Sequence, residues 1–146
     1  MSDALLTLRP ADDALDYVET LLAANDLPTA DVREKPDCFY VASDGDERVG
    51  VGGVERDGDA GLLRSVVVDR SARGEGYGAA LCEALEAEAS ADGVGTLYLL
   101  TTTAAAFFAA RGYEVVERDA APTALRGTAE FDDLCPAAAT CMRKSL

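Results

Sequence analysis

The chain has 146 residues, of which 49% are apolar and 27% charged, so it can bury a core without a disulfide or structural metal and is too apolar for a disordered segment. Asp and Glu number 27 against 13 Lys and Arg, a net charge of −14, which repels nucleic acid and anionic lipid and argues against DNA, RNA and membrane-surface roles. Histidine is absent, and no pair among Cys38, Cys82, Cys135 and Cys141 has CxxC spacing; neither a zinc or other metal site nor Ser-His or Cys-His catalysis is expected.

Residues 4–8 form a short apolar run before Arg9-Pro10 and predict a first strand ended by that breaker. Leu15, Val18, Leu21 and Leu22 recur at helical spacing, with Asp12 and Asp13 ahead of them, and predict a helix over 11–24. Residues 38–43, 48–56 and 61–68 read as a meander of three strands, turned by Asp44-Gly45-Asp46 and Asp57-Gly58-Asp59. The run Val66-Val67-Val68 predicts burial on both faces. A helix over 76–89 follows, with Tyr77, Leu81, Ala84 and Leu85 on one face and Cys82 as a small core residue. Residues 96–101 read as a buried strand. Thr102 or Thr103 is placed to cap a helix over 104–110 that closes at Gly112. A strand over 113–117, a helix over 122–131 and a last strand over 138–143 complete one α+β domain over residues 1–146.

Lysine occurs only at Lys35 and Lys144, and Asp outnumbers Glu by 16 to 11. Heavy acid and scarce Lys point to a halophilic source, because concentrated salt screens the self-repulsion. The apolar runs are too short to span a bilayer, and residues 1–9 lack a secretory pattern. A cytoplasmic protein with free thiols is therefore expected, and monomer and homodimer both stay open.

The chemistry is concentrated in Val66-Val67-Val68-Asp69-Arg70-Ser71-Ala72-Arg73-Gly74-Glu75-Gly76-Tyr77-Gly78. A strand passes through a short loop into a Gly-rich helix start, where glycines let backbone approach a ligand and the first helical N–H groups lack partners. Such an end holds a pyrophosphate, assisted by Arg73; the same glycines also serve a tight turn. No Lys-Ser/Thr follows, so this is not a P-loop, and the preceding meander does not suit a dinucleotide fingerprint.

Arg73-x-x-Gly76-x-Gly78 after an apolar strand, then the strand 97–101 and Phe107-Phe108 ahead of Gly112-Tyr113, resemble the two signature blocks of the GCN5-related N-acetyltransferases (GNAT). The order of elements matches over nearly the whole chain. The resemblance implies a GNAT fold: a mixed, mostly antiparallel sheet of about seven strands flanked by about four helices in three α/β/α layers. It implies acetyl-CoA as co-substrate, no metal, and acetyl transfer to the amine of a small molecule. Backbone groups of Val66, Val67 and Val68 would pair with the pantetheine arm. Arg73, Gly74, Glu75, Gly76, Tyr77 and Gly78 would hold the pyrophosphate, with Phe107 and Phe108 beside the cofactor. The acetyl group would lie between the strands 62–68 and 96–101, where a base takes the amine proton and an acid, often Tyr, protonates the leaving thiolate.

The chain departs from that pattern. Phe108 occupies the position where the family often has the acid Tyr, and no strand acid replaces the base. Tyr98 and Tyr113 are the nearby hydroxyls, each with core packing as the alternative reading. Leu63-Arg64-Ser65-Val66-Val67-Val68, Leu97-Tyr98-Leu99-Leu100-Thr101-Thr102-Thr103, and Phe131-x-x-Leu134-Cys135-Pro136 resemble small acetyltransferases associated with arsenic resistance and the acetyltransferase domain of N-acetylglutamate synthase. That resemblance implies an amino-acid-like acceptor beside Arg64, Ser65, Thr101 and Thr102. Arg64 then reads either as a clamp for the acceptor carboxylate or as the partner of an acid. Cys135 and Cys141 read as ordinary thiols or as soft ligands for trivalent arsenic. A non-catalytic acetyl-CoA or arsenic sensor on the same fold is the alternative function.

Overall fold

Two left-handed glycines, Gly45 (φ 62°) and Gly58 (φ 60°), close the hairpins of the central meander, as a tight turn with positive φ requires. The protein is described from a computed structural model that covers residues 6–25, 27, 29, 32–74, 76–102, 104–122, 125 and 139–146. The strands are β1 (Thr7–Pro10), β2 (Phe39–Asp44), β3 (Glu47–Asp57), β4 (Ala60–Val68), β5 (Thr96–Thr101), β6 (Glu114–Val116) and β7 (Thr140–Ser145). They form one sheet in the order β1-β2-β3-β4-β5-β7-β6. Every neighbouring pair is antiparallel except β4 and β5, which are joined by a crossover and run parallel.

The helices are α1 (Leu15–Ala24), α2 (Tyr77–Ala91) and α3 (Ala105–Ala110). Leu81, Cys82, Leu85 and Ala89 of α2 pack on Ala42, Val54, Leu63, Leu97 and Leu99 across one face of the sheet. Val18, Leu21 and Leu22 of α1 pack on Phe39, Val41, Val51 and Val67 across the other. Below β4, β5 and β7, Leu62, Tyr98 and Cys141 meet Ala121 and Leu125. Glycine sets the spacing of α2 from β3: a Cβ at Gly50 would lie 3.2 Å from a Leu81 methyl, and one at Gly52 would collide with a Leu85 methyl.

The sheet and its layers are those expected, with shifted ends. Arg9 and Pro10 do not stop the first strand but belong to it, paired with Val41 and Tyr40 on the sheet edge, where a missing N–H is tolerated. The first helix starts at Leu15 rather than at residue 11, because the Ala11 N–H donates to the Phe39 carbonyl (3.0 Å) and is held to the sheet. The last strand runs two residues later than expected, since its register on β5 carries it to Ser145 opposite Thr96. The helix expected over 122–131 lies outside the described residues apart from Pro122 and Leu125.

Candidate functional site

Strands β4 and β5 pair over only three rungs, Ala60↔Thr96, Gly61↔Leu97 and Leu62↔Tyr98, and then part. Just past that point β4 bulges. Between the rungs Val51↔Val67 and Gly53↔Arg64, β3 advances two residues and β4 three. Ser65, the extra residue, has φ 58° and is the only non-glycine with positive φ among the described residues. A bulge bends its strand and sharpens its twist, which accounts for the cleft that opens between Leu63–Val68 and Leu99–Thr101.

The bulge also reverses the alternation of side chains. Val66 and Val68 pack against the α2 face together with Leu63, whereas Val67 joins the α1 face. Arg64 and Val66, which regular alternation would put on one face, therefore lie on opposite faces. Arg64 lies over the Phe39 ring, its guanidinium carbon 5.2 Å from the centroid. It donates from Nε to Ser65 Oγ (3.0 Å) and from Nη1 to Glu55 Oε2 (2.9 Å). Its side chain has no exposed surface. Of the two readings of Arg64, the structure shows the ion pair with an acid; the guanidinium is not presented to solvent as a clamp.

Beyond Val68 the chain turns into the Gly-rich loop. Asp69 anchors the turn: its carboxylate accepts from the backbone N–H and hydroxyl of Ser71 (3.1 and 3.0 Å) and from the Tyr17 hydroxyl (3.1 Å). These bonds, the Ser71 amide foremost, hold its pKa below the usual carboxylate range. Gly74 (φ 87°) and Gly76 (φ 81°) take left-handed conformations, and Gly76 caps α2. Val68, Ala72, Arg73, Gly74, Gly76, Tyr77 and Gly78 line a cavity of about 270 Å³. Nothing would contact a Cβ at Gly74 or Gly76 within 4 Å, so the glycines are there for backbone conformation and not to relieve crowding. Arg73 bridges the mouth, donating from Nε to the Val68 carbonyl (3.2 Å) and from Nη2 to Asn25 Oδ1 (2.6 Å). The Tyr77 side chain is buried, with its hydroxyl donating to Asp44 (2.5 Å), which leaves its backbone toward the loop. Glu75 and Thr103 lie outside the described residues.

The aromatic pair divides. Phe107 is 37% exposed and lies against Gly78, 3.6 Å from where a Cβ would stand. Phe108 is buried, wedged edge-on between Phe107 (5.2 Å) and Tyr113 (5.5 Å), so the side chain expected beside the cofactor belongs to the core. At the end of β5, Thr101 Oγ1 accepts from the Ala104 N–H (3.0 Å). The helix entry is thus tied by Thr101, one residue before the expected cap at Thr102, which is exposed. The Tyr113 hydroxyl donates to Glu86 (2.9 Å), which also accepts from Lys144 Nζ (2.9 Å). Burial, then the Glu86 charge, pushes Tyr113 well above the ordinary phenol range. Tyr98 stands on the last paired rung, its side chain under the sheet with its hydroxyl toward the Ala120 carbonyl (3.4 Å).

Burial raises the pKa of Cys38 and Cys141, and pushes Cys82 up to about 12; these thiols stay protonated and poorly nucleophilic near neutrality. Cys135 lies outside the described residues. Among the described residues no three His, Cys, Asp or Glu side chains converge as a metal site, and no helix is long and apolar enough to cross a membrane. Sequence reasoning misses Glu55, a carboxylate only 5% exposed. It faces Leu62 across the β3–β4 ladder and accepts from both Arg64 and Lys35. The signal was faint: a Glu in strand alternation with Val54 reads as the solvent face.

The sequence matches the acetyltransferase (GNAT) domain model over residues 35–115, more than half of the chain. The chain belongs to the GNAT acetyltransferase family, whose enzymes use acetyl-CoA as co-substrate. Among solved structures, N-acetylglutamate synthase from Neisseria gonorrhoeae in complex with coenzyme A and L-arginine superposes with a TM-score of 0.81 at 19% identity, covering 99% of this chain and 34% of that one. Rv2747 from Mycobacterium tuberculosis, crystallised with CoA, superposes with a TM-score of 0.78 at 23% identity over 96% of this chain and 99% of that one. Ard1 from Thermoplasma volcanium gives 0.69 at 16% identity over 97% of each chain. This chain thus spans about a third of the Neisseria synthase, and at such identities the likeness is one of fold. No curated protein matches the sequence.

Proposed function

We propose that this protein is an N-acetyltransferase that acetylates the amine of a small, amino-acid-like acceptor in the cleft between β4 and β5. The observation that carries this reading is the juxtaposition of two features at one end of the sheet. There β4 and β5 part after Leu62↔Tyr98, and a backbone-lined cavity of about 270 Å³ opens at the Gly-rich head of α2. The cavity suits a pyrophosphate: N–H groups at Gly74, Gly76, Tyr77 and Gly78 serve as donors, and the helix dipole and the Arg73 guanidinium add positive potential.

Acetyl-CoA supplies an activated thioester carbonyl. The protein's tasks are to extend the pantetheine arm along the β4 edge at Val66, Val67 and Val68, to cover it with Phe107, and to bring the amine to the carbonyl. Thr101 and Thr102, at the end of β5, form the acceptor side, and Ser65, whose hydroxyl accepts from Arg64 Nε, shapes the cleft opposite them through its backbone. The buried Arg64 serves that side from within rather than as the carboxylate clamp. Tyr98, on the last paired rung, is the tyrosine whose replacement tests proton delivery, since its bond to the Ala120 carbonyl is long (3.4 Å) whereas the Tyr113 hydroxyl is held by the Glu86 carboxylate at 2.9 Å.

The test is thiol release from acetyl-CoA across a panel of amines in molar KCl. The panel includes acidic amino acids and amino acids bearing arsenic or phosphorus, which the resemblance to arsenic-resistance-associated enzymes brings in. Turnover on amino acids above carboxylate-free amines supports the reading. Tight acetyl-CoA binding with no turnover on any amine would replace it with a sensor.

A further inference from the structure

Ser65 takes a left-handed conformation, φ 58°, that L-residues rarely adopt, and unlike the glycines of the cofactor loop it needs help to stay there. Neighbouring side chains supply it. Arg64 reaches forward to its neighbour, Nε to Ser65 Oγ at 3.0 Å, and sideways to Glu55, Nη1 to Oε2 at 2.9 Å. Its guanidinium is sandwiched against the Phe39 ring. Gly53, opposite Arg64 on β3, makes the seat possible: a Cβ there would press on the Phe39 ring at 3.1 Å and on the Cys38 carbonyl at 3.2 Å. Glu55 is itself held by Lys35, so the row Lys35–Glu55–Arg64 runs from a partly exposed lysine inward to the bulge.

We infer that Glu55, acting through Arg64, is a positioning residue that holds Ser65 left-handed and so keeps the cleft between β4 and β5 open for acetyl transfer. The link to acetyl transfer rests on the function proposed above; the link to the bulge does not. Strained residues persist only where their surroundings over-determine them, and here a fork of two hydrogen bonds and a ring face supply that constraint. Without the Glu55 charge the guanidinium loses a carboxylate that fixes it, Ser65 relaxes toward extended backbone, and β4 regains regular alternation.

The test exploits the fact that glycine takes positive φ freely. Glu55→Gln is expected to lower kcat/KM for thiol release by roughly tenfold or more while the acetyl-CoA dissociation constant changes little. The strong intraresidue HN–Hα NOE that a left-handed Ser65 gives should weaken in the same variant. Adding Ser65→Gly to Glu55→Gln should recover most of the lost activity, because the bulge no longer needs its lock. Arg64→Lys, which keeps a cation beside Glu55 but loses the Nε bond to Ser65, should behave like Glu55→Gln and decides the matter if Glu55→Gln does not fold. A Ser65 NOE unchanged in the variants overturns the inference, as does an activity loss that Ser65→Gly leaves unrepaired; either result means that Glu55 and Arg64 act on the acceptor or on overall stability. If the wild type releases no thiol from any amine, the proposed function fails, and the NOE arm still judges the lock.

Discussion

Gly76 adopts φ 81°, while Gly78, two residues on and inside α2, has the Phe107 ring 3.6 Å from its Cβ position. The two glycines of the motif are therefore glycine for different reasons. Alanine at Gly76 meets no atom but strains the backbone, which costs about 1–2 kcal/mol. Alanine at Gly78 makes an ordinary contact and improves helix propensity. Gly76→Ala is expected to lower stability by about that amount and to weaken CoA binding roughly tenfold, with Gly76→Val worse on both. Gly78→Ala should leave stability unchanged or higher. Urea midpoints and calorimetric CoA titrations check both, and equal behaviour of the two alanine variants would contradict the assignment.

Tyr113 offers a contrast between core and chemistry. Its hydroxyl donates to Glu86, which Lys144 also holds. Tyr113→Phe removes one charge-assisted hydrogen bond and leaves Glu86 paired, so the expected loss is about 1–2 kcal/mol of stability, with kcat and its pH dependence unchanged. A kcat that falls together with the loss of a pH limb would make Tyr113 the acid.

Much of this molecule is legible without coordinates. The hairpin glycines, the periodicity of α1 and α2 and the Gly-rich helix head each carry a local rule, and the arrangement of the sheet is what the GNAT resemblance implies. The cleft is less legible because its cause is Ser65, a residue whose side chain does not announce a positive φ. One inserted residue moves Arg64 to the face of Phe39 and Val66 to the face of Leu63, reversing an argument built on regular alternation. Glu55 escapes for a related reason. Only the pairing of β3 with β4 reveals that it sits beside the one strand cation able to neutralise it there. Phe107 and Phe108 are adjacent in sequence, and only the rotation of α3 separates the exposed ring from the buried one.

Alkaline pH should destabilise the fold in a defined window. Burial raises Cys82 from an ordinary 9.0 to about 12, and burial with the Asp69 bond raises Tyr17 from 10.0 to about 12. The unfolded chain releases these protons first, so the stability present below pH 9 is lost as the pH climbs toward 12, by at most about 1.4 kcal/mol per pH unit for the buried Cys82 and by less for Tyr17, whose half-exposed hydroxyl is screened by solvent. Denaturant unfolding at pH 8, 9, 10 and 11 reads the slope. Cys82→Ala should flatten it between pH 9 and 10, before Tyr17 contributes; an unchanged slope there would show that Cys82 does not titrate as its burial implies.

Salt should stabilise the protein. The chain carries a net charge of −14, and its exposed ion pairs, such as Arg33 with Asp16, contribute little to stability. Screening of the excess repulsion outweighs the loss of those pairs. The melting temperature is expected to rise from dilute buffer to molar KCl. A flat or falling value would count against adaptation to salt.

The central claim is that acetyl-CoA lies on the head of α2 and along the β4 edge. Amide chemical shifts recorded during an acetyl-CoA titration test it most directly. The predicted result is that the largest changes fall on Gly74, Gly76, Tyr77 and Gly78 and on Val66 and Val68, with those of the α1 helix small. Changes centred elsewhere, with the amides of Gly74, Gly76 and Gly78 unmoved at saturation, would contradict it.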